Sequence, residues 1–493
     1  MTIDSQDGSS GDEVFRIEQH GIDQIPVSER WASPRAVAGM WAGASVQVEY
    51  FIYGAILMTF GVSFGQALAL IIIGNLSYFL LGLASLQAPQ TGTTVFAINR
   101  ASYGPNGSRL IAFFNWITQI GFEVEGLILI VGAGLVLEIK SGFNPGDPAK
   151  VIFVVLAVLI QAILPVLGHA TILKTLRYLV IPFVILFAVM LAFTLPHATI
   201  HGVAHGADWQ TMFEGLAFTI ALSGLGWTEC GNDYTRYCPP NTSKGGIVGW
   251  VFLGTAVPEI LIMTLGAAVG TFLPSIGSSS NAFLPFAHQS AIPSWFVVVF
   301  LIFSIVQLFG INSLDMYSSG VTLQAMGVKV KRYQAVLIDC FLAFLVTLFA
   351  VFNSSFHTYL VDFVDLVIVW IAPWFAIFVV DWALRKYRYV PSELQRTARG
   401  SLYYASGGIF WPAIIAQVVG MYAAISALST TFHIPRWLNP IVYATRDSYG
   451  YGADFSVFLG IGVGGLLYLA LAWKSVRAQS VQQDAMLAGT ADH

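Results

Sequence analysis

The sequence predicts an all-α membrane protein of twelve transmembrane helices. Three observations lead there. Of 493 residues, 56% are hydrophobic and only 10% are charged, where a soluble domain carries about 25% charged residues. The mean hydropathy is +0.71. Twelve apolar runs are long enough to cross a bilayer, each crossing needing ~20 residues. These features exclude a disordered chain, a nucleic-acid binder and an ordinary soluble enzyme. The net charge of −4 says little about partners other than the lipid bilayer.

The runs lie at 37–59, 66–86, 110–136, 151–168, 178–195, 211–231, 246–273, 295–318, 333–352, 358–380, 408–429 and 453–473. They lack the weak alternation of membrane β-strands, so helices are expected. Together they define a transporter-sized domain at 37–473. Residues 1–36 are polar and acidic, with no basic segment ahead of a short apolar core. They read as a mostly disordered cytoplasmic tail with a short interfacial segment at its end, and not as a cleaved leader. Residues 474–493 read as a second polar tail. The three cysteines, Cys230, Cys238 and Cys340, are too few for a disulfide framework.

Orientation follows from the loops. With the N-terminus inside, the inner segments hold 19 of the 23 basic residues, and only Lys140, Lys150, Arg436 and Arg446 fall outside. That asymmetry puts both termini in the cytoplasm, in a multi-pass protein of the cell membrane. No Lys or Arg falls within a span. The inner loop 381–407 is the most basic segment and reads as a solvated loop facing anionic lipid.

Spans 1 and 6 look breakable. Span 1 contains WAGASVQVEYFIYG, where Gly43, Ser45, Gln47 and Glu49 interrupt the apolar run. Span 6 contains SGLGWTECGNDYTRY, with Gly224, Gly226 and Gly231 around Trp227. A helix broken at mid-membrane exposes backbone groups that a substrate can use. The plain alternative is that such glycines only permit close helix packing. Two such spans, five apart, favour the broken-helix reading.

Ionisable groups in hydrocarbon are costly and mark sites. Setting aside Glu214 and Asp454, which lie in the first turns of their spans, nine carboxylates lie deeper: Glu49, Glu123, Glu125, Glu229, Glu259, Asp315, Asp339, Asp362 and Asp365. With no base in any span, each must be protonated, wet, near an interface or paired with a bound cation. On span 3, Glu123 and Glu125 point to different sides, so one can face a cavity while the other meets a neighbouring helix. On span 8, Asn312, Asp315 and Ser319 form one polar stripe, which favours a cavity face over simple helix–helix bonding. Trp227, opposite Phe122 or Trp116, would make a slot for a flat ring. Glu259, Asp339, Asp362 and Asp365 read as structural. At the inner end of span 6, Asp233 and Arg236 form either a gate ion pair or a helix-end cap. His197, His201 and His205 recur every four residues, but glycines and the lack of a cysteine argue for a solvated loop over a metal site. No Walker A, HExxH, GxSxG or CxxC motif occurs, so no enzyme, cofactor or metal is expected.

The runs GWTECGNDYTRYCP (226–239), GINSLDMYSSGVTLQAMGVKVKR (310–332), VIVWIAPWFAIFVVDWALRKYRY (367–389) and NRASYGPNGSRL (99–110) resemble the nucleobase–cation symporter-1 family, above all its purine–cytosine permease branch. The resemblance covers about residues 30–475. It implies a LeuT-like five-plus-five inverted repeat with two extra C-terminal helices, with spans 1 and 6 broken. It implies uptake of flat nitrogenous rings: cytosine, purines, uracil, hydantoins, allantoin, and sometimes thiamine or pyridoxine. In such proteins the ring stacks between an aromatic of span 3 and a Trp of span 6, here Phe122 and Trp227. The polar contacts implied are Ser45 or Gln47, Glu125 or Gly126, and Asn312 or Asp315.

The sequence departs from the family pattern in four places. Phe122 stands where Trp is usual. Gly126 stands where an amide is usual, with Glu125 beside it. Asp315 stands where span 8 usually has Asn. The hydroxyls that sodium-dependent members carry just before that Asn are absent from LFG (308–310). The expectation is therefore a proton-driven importer of a nucleobase-like heterocycle, working by alternating access. Glu125, Asp315 and Glu229 are the candidates for the coupling proton, and Glu49, Glu123, Asp233 and Arg236 are further coupling or gating candidates. The alternatives are a carrier of a cationic or amino-substituted vitamin such as thiamine or pyridoxine, and an uncoupled facilitator. Sodium is the less favoured ion.

Overall fold

Two helices of the chain are interrupted where glycine and small polar residues crowd. In this computed structural model, residues 21–167, 169–199, 206–353, 355–430, 433–446 and 452–489 are described. Span 1 is split into α1 (Pro34–Ser45) and α2 (Val48–Met58). Between them the backbone leaves the helix at Val46 (ψ 75°) and is extended at Gln47. Span 2 bends between α3 (Phe64–Asn75) and α4 (Tyr78–Ala84). The long helix of span 3, α5 (Arg100–Lys140), kinks near its start, where Gly104 has φ 76°. Spans 4 and 5 form α6 (Asp147–Gln161) and α7 (His169–Thr194). Span 6 starts as α8 (Trp209–Ile220), unwinds at Ser223 (φ −98°, ψ −130°), and resumes as α9 (Gly231–Thr235). The rest follows as α10 (Lys244–Gly270), α11 (Ser294–Ala325), α12 (Arg332–Asn353), α13 (Phe356–Leu384), α14 (Trp411–Ile425) and α15 (Ser456–Gly489).

Hydroxyls and a carboxylate start these helices. Ser33, Ser63, Asp208, Ser243 and Ser355 each accept from a backbone N–H of the first turn, which satisfies donors the helix leaves open. Among the described residues every element is helical, and ten helices are long and apolar enough to cross a membrane. The two expected spans outside that set are the broken ones, whose halves are each too short.

The spans differ in burial as their roles require. Windows of α5 and α13 are 83% and 78% buried, while those of α6 and α7 are 28% buried. Spans 3 and 10 are thus central and spans 4 and 5 peripheral, and Leu159, Ile181 and Ile185 face outward. Glycine sets the tightest seam. A Cβ on Gly54 would sit 1.9 Å from the Met263 carbonyl oxygen, and one on Gly266 1.8 Å from that of Phe51. Spans 1 and 7 are therefore packed backbone to backbone.

Both tails are held to the bundle over their described parts. Residues 21–33 are pinned to the helix ends: Ile25 is fully buried, Arg30 donates to the carbonyls of Ile25 and Pro89, and Thr93 donates to that of Ile22. Single anchors of this kind hold a segment that is polar on average. At the other end α15 continues through the polar stretch to Gly489. Asp484 pairs with Lys386 and Arg388 there, which gives polar residues a docking face.

Two arginines read as loop residues, Arg236 and Arg385, are fully buried. Arg385 pairs with Asp381 at 2.9 Å, one helical turn back. His197 follows α7, with its Nδ1 3.1 Å from the Phe193 carbonyl oxygen, and His201 and His205 lie outside the described residues.

Candidate functional site

The site is assembled where the breaks of spans 1 and 6 face spans 3 and 8. Within 217–238, Trp227 is the only residue not buried; within 118–127, only Phe122 is not. Two aromatic side chains thus keep uncovered surface in stretches that are otherwise sealed. Phe122 meets Phe363 of α13 in a T-shaped contact at 4.9 Å. The Trp227 indole is fixed by a T-shaped contact with Trp41 at 5.5 Å, and its Nε1–H donates to the Tyr50 hydroxyl at 2.9 Å. Trp116 is occupied elsewhere: its Nε1–H donates to Asp339 at 2.8 Å.

At the span 1 break, Ser45 and Gln47 are buried, and the N–H of Val48 donates to Gln307 of α11 at 2.9 Å. Gln47 lies close to Glu49, and Glu49 lies within electrostatic reach of Glu125 and Asp315. Asp315 in turn lies within reach of Glu125. Tyr53 donates to Glu125 at 2.5 Å. Three carboxylates from spans 1, 3 and 8 therefore converge. Such a set repels itself in low dielectric unless protons or a cation relieve it.

Other predicted residues are drawn into helix–helix bonds. The Asn312 amide donates to the Glu123 carbonyl and to Gln161, both at 3.1 Å. A Cβ on Gly126 would lie 2.1 Å from Asn312 Oδ1. The amide from span 8 thus fills the space that a side chain at 126 would take. Ser319, the third member of the span 8 stripe, donates to Asp339 at 2.8 Å. Glu229 accepts from Gln119. Both carboxyl oxygens of Glu123 are buried and meet no donor. Asp233 accepts from the N–H of Val95 at 2.9 Å, so it caps the short helix Val95–Ile98. Arg236 donates to the Gly21 carbonyl and to Tyr317, each at 2.6 Å.

Glu259 holds a place that its sequence context did not reveal. It is fully buried on α10 and accepts from Ser223, the unwound residue of span 6, and from Tyr78 of α4. The Tyr78 hydroxyl is 3.2 Å from that of Tyr50, the residue that receives Trp227. Among the described residues, no group of three or more His, Cys, Asp or Glu could hold a metal ion.

Residues 24–450 match the model of a family described as permeases for cytosine/purines, uracil, thiamine and allantoin. The chain belongs to that family. It is 25% identical over 481 residues to YxlA of Bacillus subtilis, covering 95% of this chain and 99% of that one. It is 25% identical over 488 residues to the purine-cytosine permease fcyB of Emericella nidulans, covering 93% and 88%. Among solved structures it resembles Mhp1, a nucleobase-cation-symport-1 family transporter, in a closed conformation with bromovinylhydantoin bound. The TM-score is 0.71 at 18% identity, over 94% of this chain and 98% of Mhp1. The inward-facing conformation of Mhp1 gives 0.67, over 95% and 99%. The permease chain thus has the LeuT-like fold of Mhp1. It is a multi-pass membrane transporter for nucleobase-like substrates, and not an enzyme.

Proposed function

We propose that this permease is a proton-driven importer of a nucleobase or related flat nitrogenous heterocycle. It has twelve spans, and both termini lie in the cytoplasm. The observation that carries the substrate class is the pair Phe122 and Trp227, each the one uncovered residue of a sealed stretch. A planar ring slides between two such faces and gains stacking on both. Ser45, Gln47, Glu125 and Asp315 then meet its edge, and Glu49 stands behind Gln47 and Glu125.

The convergence of Glu49, Glu125 and Asp315 favours a substrate rich in hydrogen-bond donors, such as an aminopyrimidine or aminopurine, because an ionised carboxylate only accepts. The same acids support a second reading, uptake of a cationic vitamin such as thiamine. Proton coupling is favoured over sodium because Leu308, Phe309 and Gly310 offer no side-chain oxygen where sodium-dependent members have hydroxyls.

The test is uptake of labelled cytosine, adenine, uracil and thiamine into proteoliposomes under an imposed proton or sodium gradient. Accumulation of cytosine or adenine driven by an inward proton gradient is expected. Accumulation driven by sodium alone, or flux indifferent to both gradients, would overturn the coupling. Preference for thiamine over every nucleobase would select the second reading.

A further inference from the structure

We propose that Glu259 binds the coupling proton, outside the ring site, and that Tyr78 and Tyr50 connect that proton to the substrate. This rests on the proton-driven reading above and names where the proton sits.

The carboxyl lies on α10 within a hydrogen-bonded cluster from four spans. Ser223 reaches it from the unwound turn of span 6, Tyr78 from span 2, and Tyr50 of span 1 stands next in line. The chain ends at the Trp227 indole, which faces the ring site. Gly224, beside Ser223, is held equally closely. Its N–H donates to Ser77 at 2.9 Å, and a Cβ there would lie 2.2 Å from the Tyr78 nitrogen. Backbone packing therefore holds the unwound turn of span 6 against the Ser77–Tyr78 bend, beside the residue that donates to Glu259.

The directions of the hydrogen bonds follow from counting protons. An indole N–H can only donate, so Tyr50 accepts from Trp227. Tyr78 spends its single hydrogen on Glu259. Tyr50 must then donate its own hydrogen to Tyr78. With Glu259 ionised, the chain Trp227→Tyr50→Tyr78→Glu259 is complete and every donor is used. A proton on that side of Glu259 reverses it. Glu259 now donates to Tyr78, and Tyr78 donates to Tyr50. Tyr50 then accepts from both Tyr78 and Trp227, and its own hydrogen has no partner left in the chain. A buried donor without an acceptor is costly, on the order of 1–3 kcal/mol. A ring nitrogen or carbonyl oxygen placed beside Trp227 supplies the missing acceptor. Proton and substrate thus each make room for the other, and that mutual dependence is symport.

Among the described residues, no charged side chain acts on Glu259. The groups acting on Glu259 are Ser223, Tyr78 and Tyr50. Glu49 acts on Tyr50 from the same helix but is not among the groups acting on Glu259. The central acids Glu49, Glu125 and Asp315 remain free to meet the ring.

Glu259→Gln keeps the shape of the carboxyl and removes its titration. In proteoliposomes, using the heterocycle that wild type takes up best, this variant should keep counterflow exchange. It should lose accumulation driven by a pH gradient. Wild-type apparent affinity should tighten about tenfold at the protonating pH, a usual size for coupled sites, and the variant should show no such change. Tyr78→Phe, which cuts the chain and leaves the carboxyl, should do the same and carries the test if Glu259→Gln does not fold. Wild-type accumulation by either folded variant would overturn the proposal. So would equal loss of counterflow and accumulation in variants of normal thermal stability. If wild type itself ignores the pH gradient, the proton-driven reading fails first, and Glu259 with it.

Discussion

The Tyr53 hydroxyl of α2 donates to Glu125 of α5 at 2.5 Å, joining the second half of a broken helix to the central unbroken one. Both residues are buried. A buried hydrogen bond of this kind contributes ~0.5–1.5 kcal/mol net, and a buried carboxyl left without its donor costs ~1–3 kcal/mol, more than a pair removed together.

Tyr53→Phe combined with Glu125→Gln should therefore lower thermal stability by less than the sum of the two single variants. A double-mutant cycle on melting temperature should show a coupling of ~1–3 kcal/mol. Additive effects would mean that the two groups do not act as a pair. Transport should fall in both single variants, because the same carboxyl is the one proposed to meet the substrate.

Phe122→Ala and Trp227→Ala should each raise KM for the heterocycle about tenfold or more, since aromatic stacking on a base is worth ~1–3 kcal/mol. Trp227→Phe should keep most of the binding, because it preserves an aromatic face while losing the bond to Tyr50. Trp116→Ala should leave KM near wild type and act on stability, because its indole is committed to Asp339. Competition binding with the purified protein separates these effects from expression.

How far the sequence foretells this arrangement depends on the distance between partners along the chain. The breaks in spans 1 and 6 are legible because the glycines and small polar residues that cause them sit at the break itself. Trp227 and Phe122 are singled out by family resemblance, and each keeps uncovered surface in the fold. Glu259 is not. Its partners Ser223, Tyr78 and Tyr50 lie in three other spans, and the adjacent Pro258 offers a sufficient local explanation for an unusual residue. The stripe Asn312–Asp315–Ser319 shows the opposite failure. Its periodicity marks one face, but Asn312 and Ser319 lie far enough around that face to be taken by α5 and α6 on one side and α12 on the other. Amphipathicity shows that a face is polar without showing which neighbour uses it. The buried ends of the tails escape for a related reason, since average polarity hides single anchors such as Ile25.

A pH response is expected in the loop between α13 and α14. Burial raises the Glu393 carboxyl, but the N–H of Leu402, the Ser401 hydroxyl and Arg396 outweigh it and hold the group below its ordinary value. A carboxyl lowered on folding stabilises the loop above its unfolded pKa and loses that contribution as pH falls through the folded value. Hydrogen exchange at Leu402 should therefore stay slow at neutral pH and quicken, after correction for intrinsic rates, below about pH 4. Glu393→Gln should exchange quickly at neutral pH as well. Equal protection of Leu402 in the two proteins at pH 7 would contradict this account.

Asp381 and Arg385 offer the sharpest test of how the bundle holds its C-terminal part. Their side chains are fully covered, the pair closes at 2.9 Å, and Tyr389 and Tyr468 also donate to Asp381. Arg385 further donates to the Ala101 carbonyl and to Gln479 of α15, so one guanidinium ties spans 3, 10 and 12. Removing one member of a buried pair strands the other charge and typically costs ~3–5 kcal/mol, whereas removing both costs far less. Asp381→Asn should consequently be more destabilising than Asp381→Asn with Arg385→Met, read as melting temperature in detergent. Arg385→Met alone should also release α15, making its final turns accessible to protease while counterflow at the ring site persists in the molecules that remain folded. If the double variant were the least stable of the three, the bonds to Ala101 and Gln479 would outweigh the ion pair in holding the helices together.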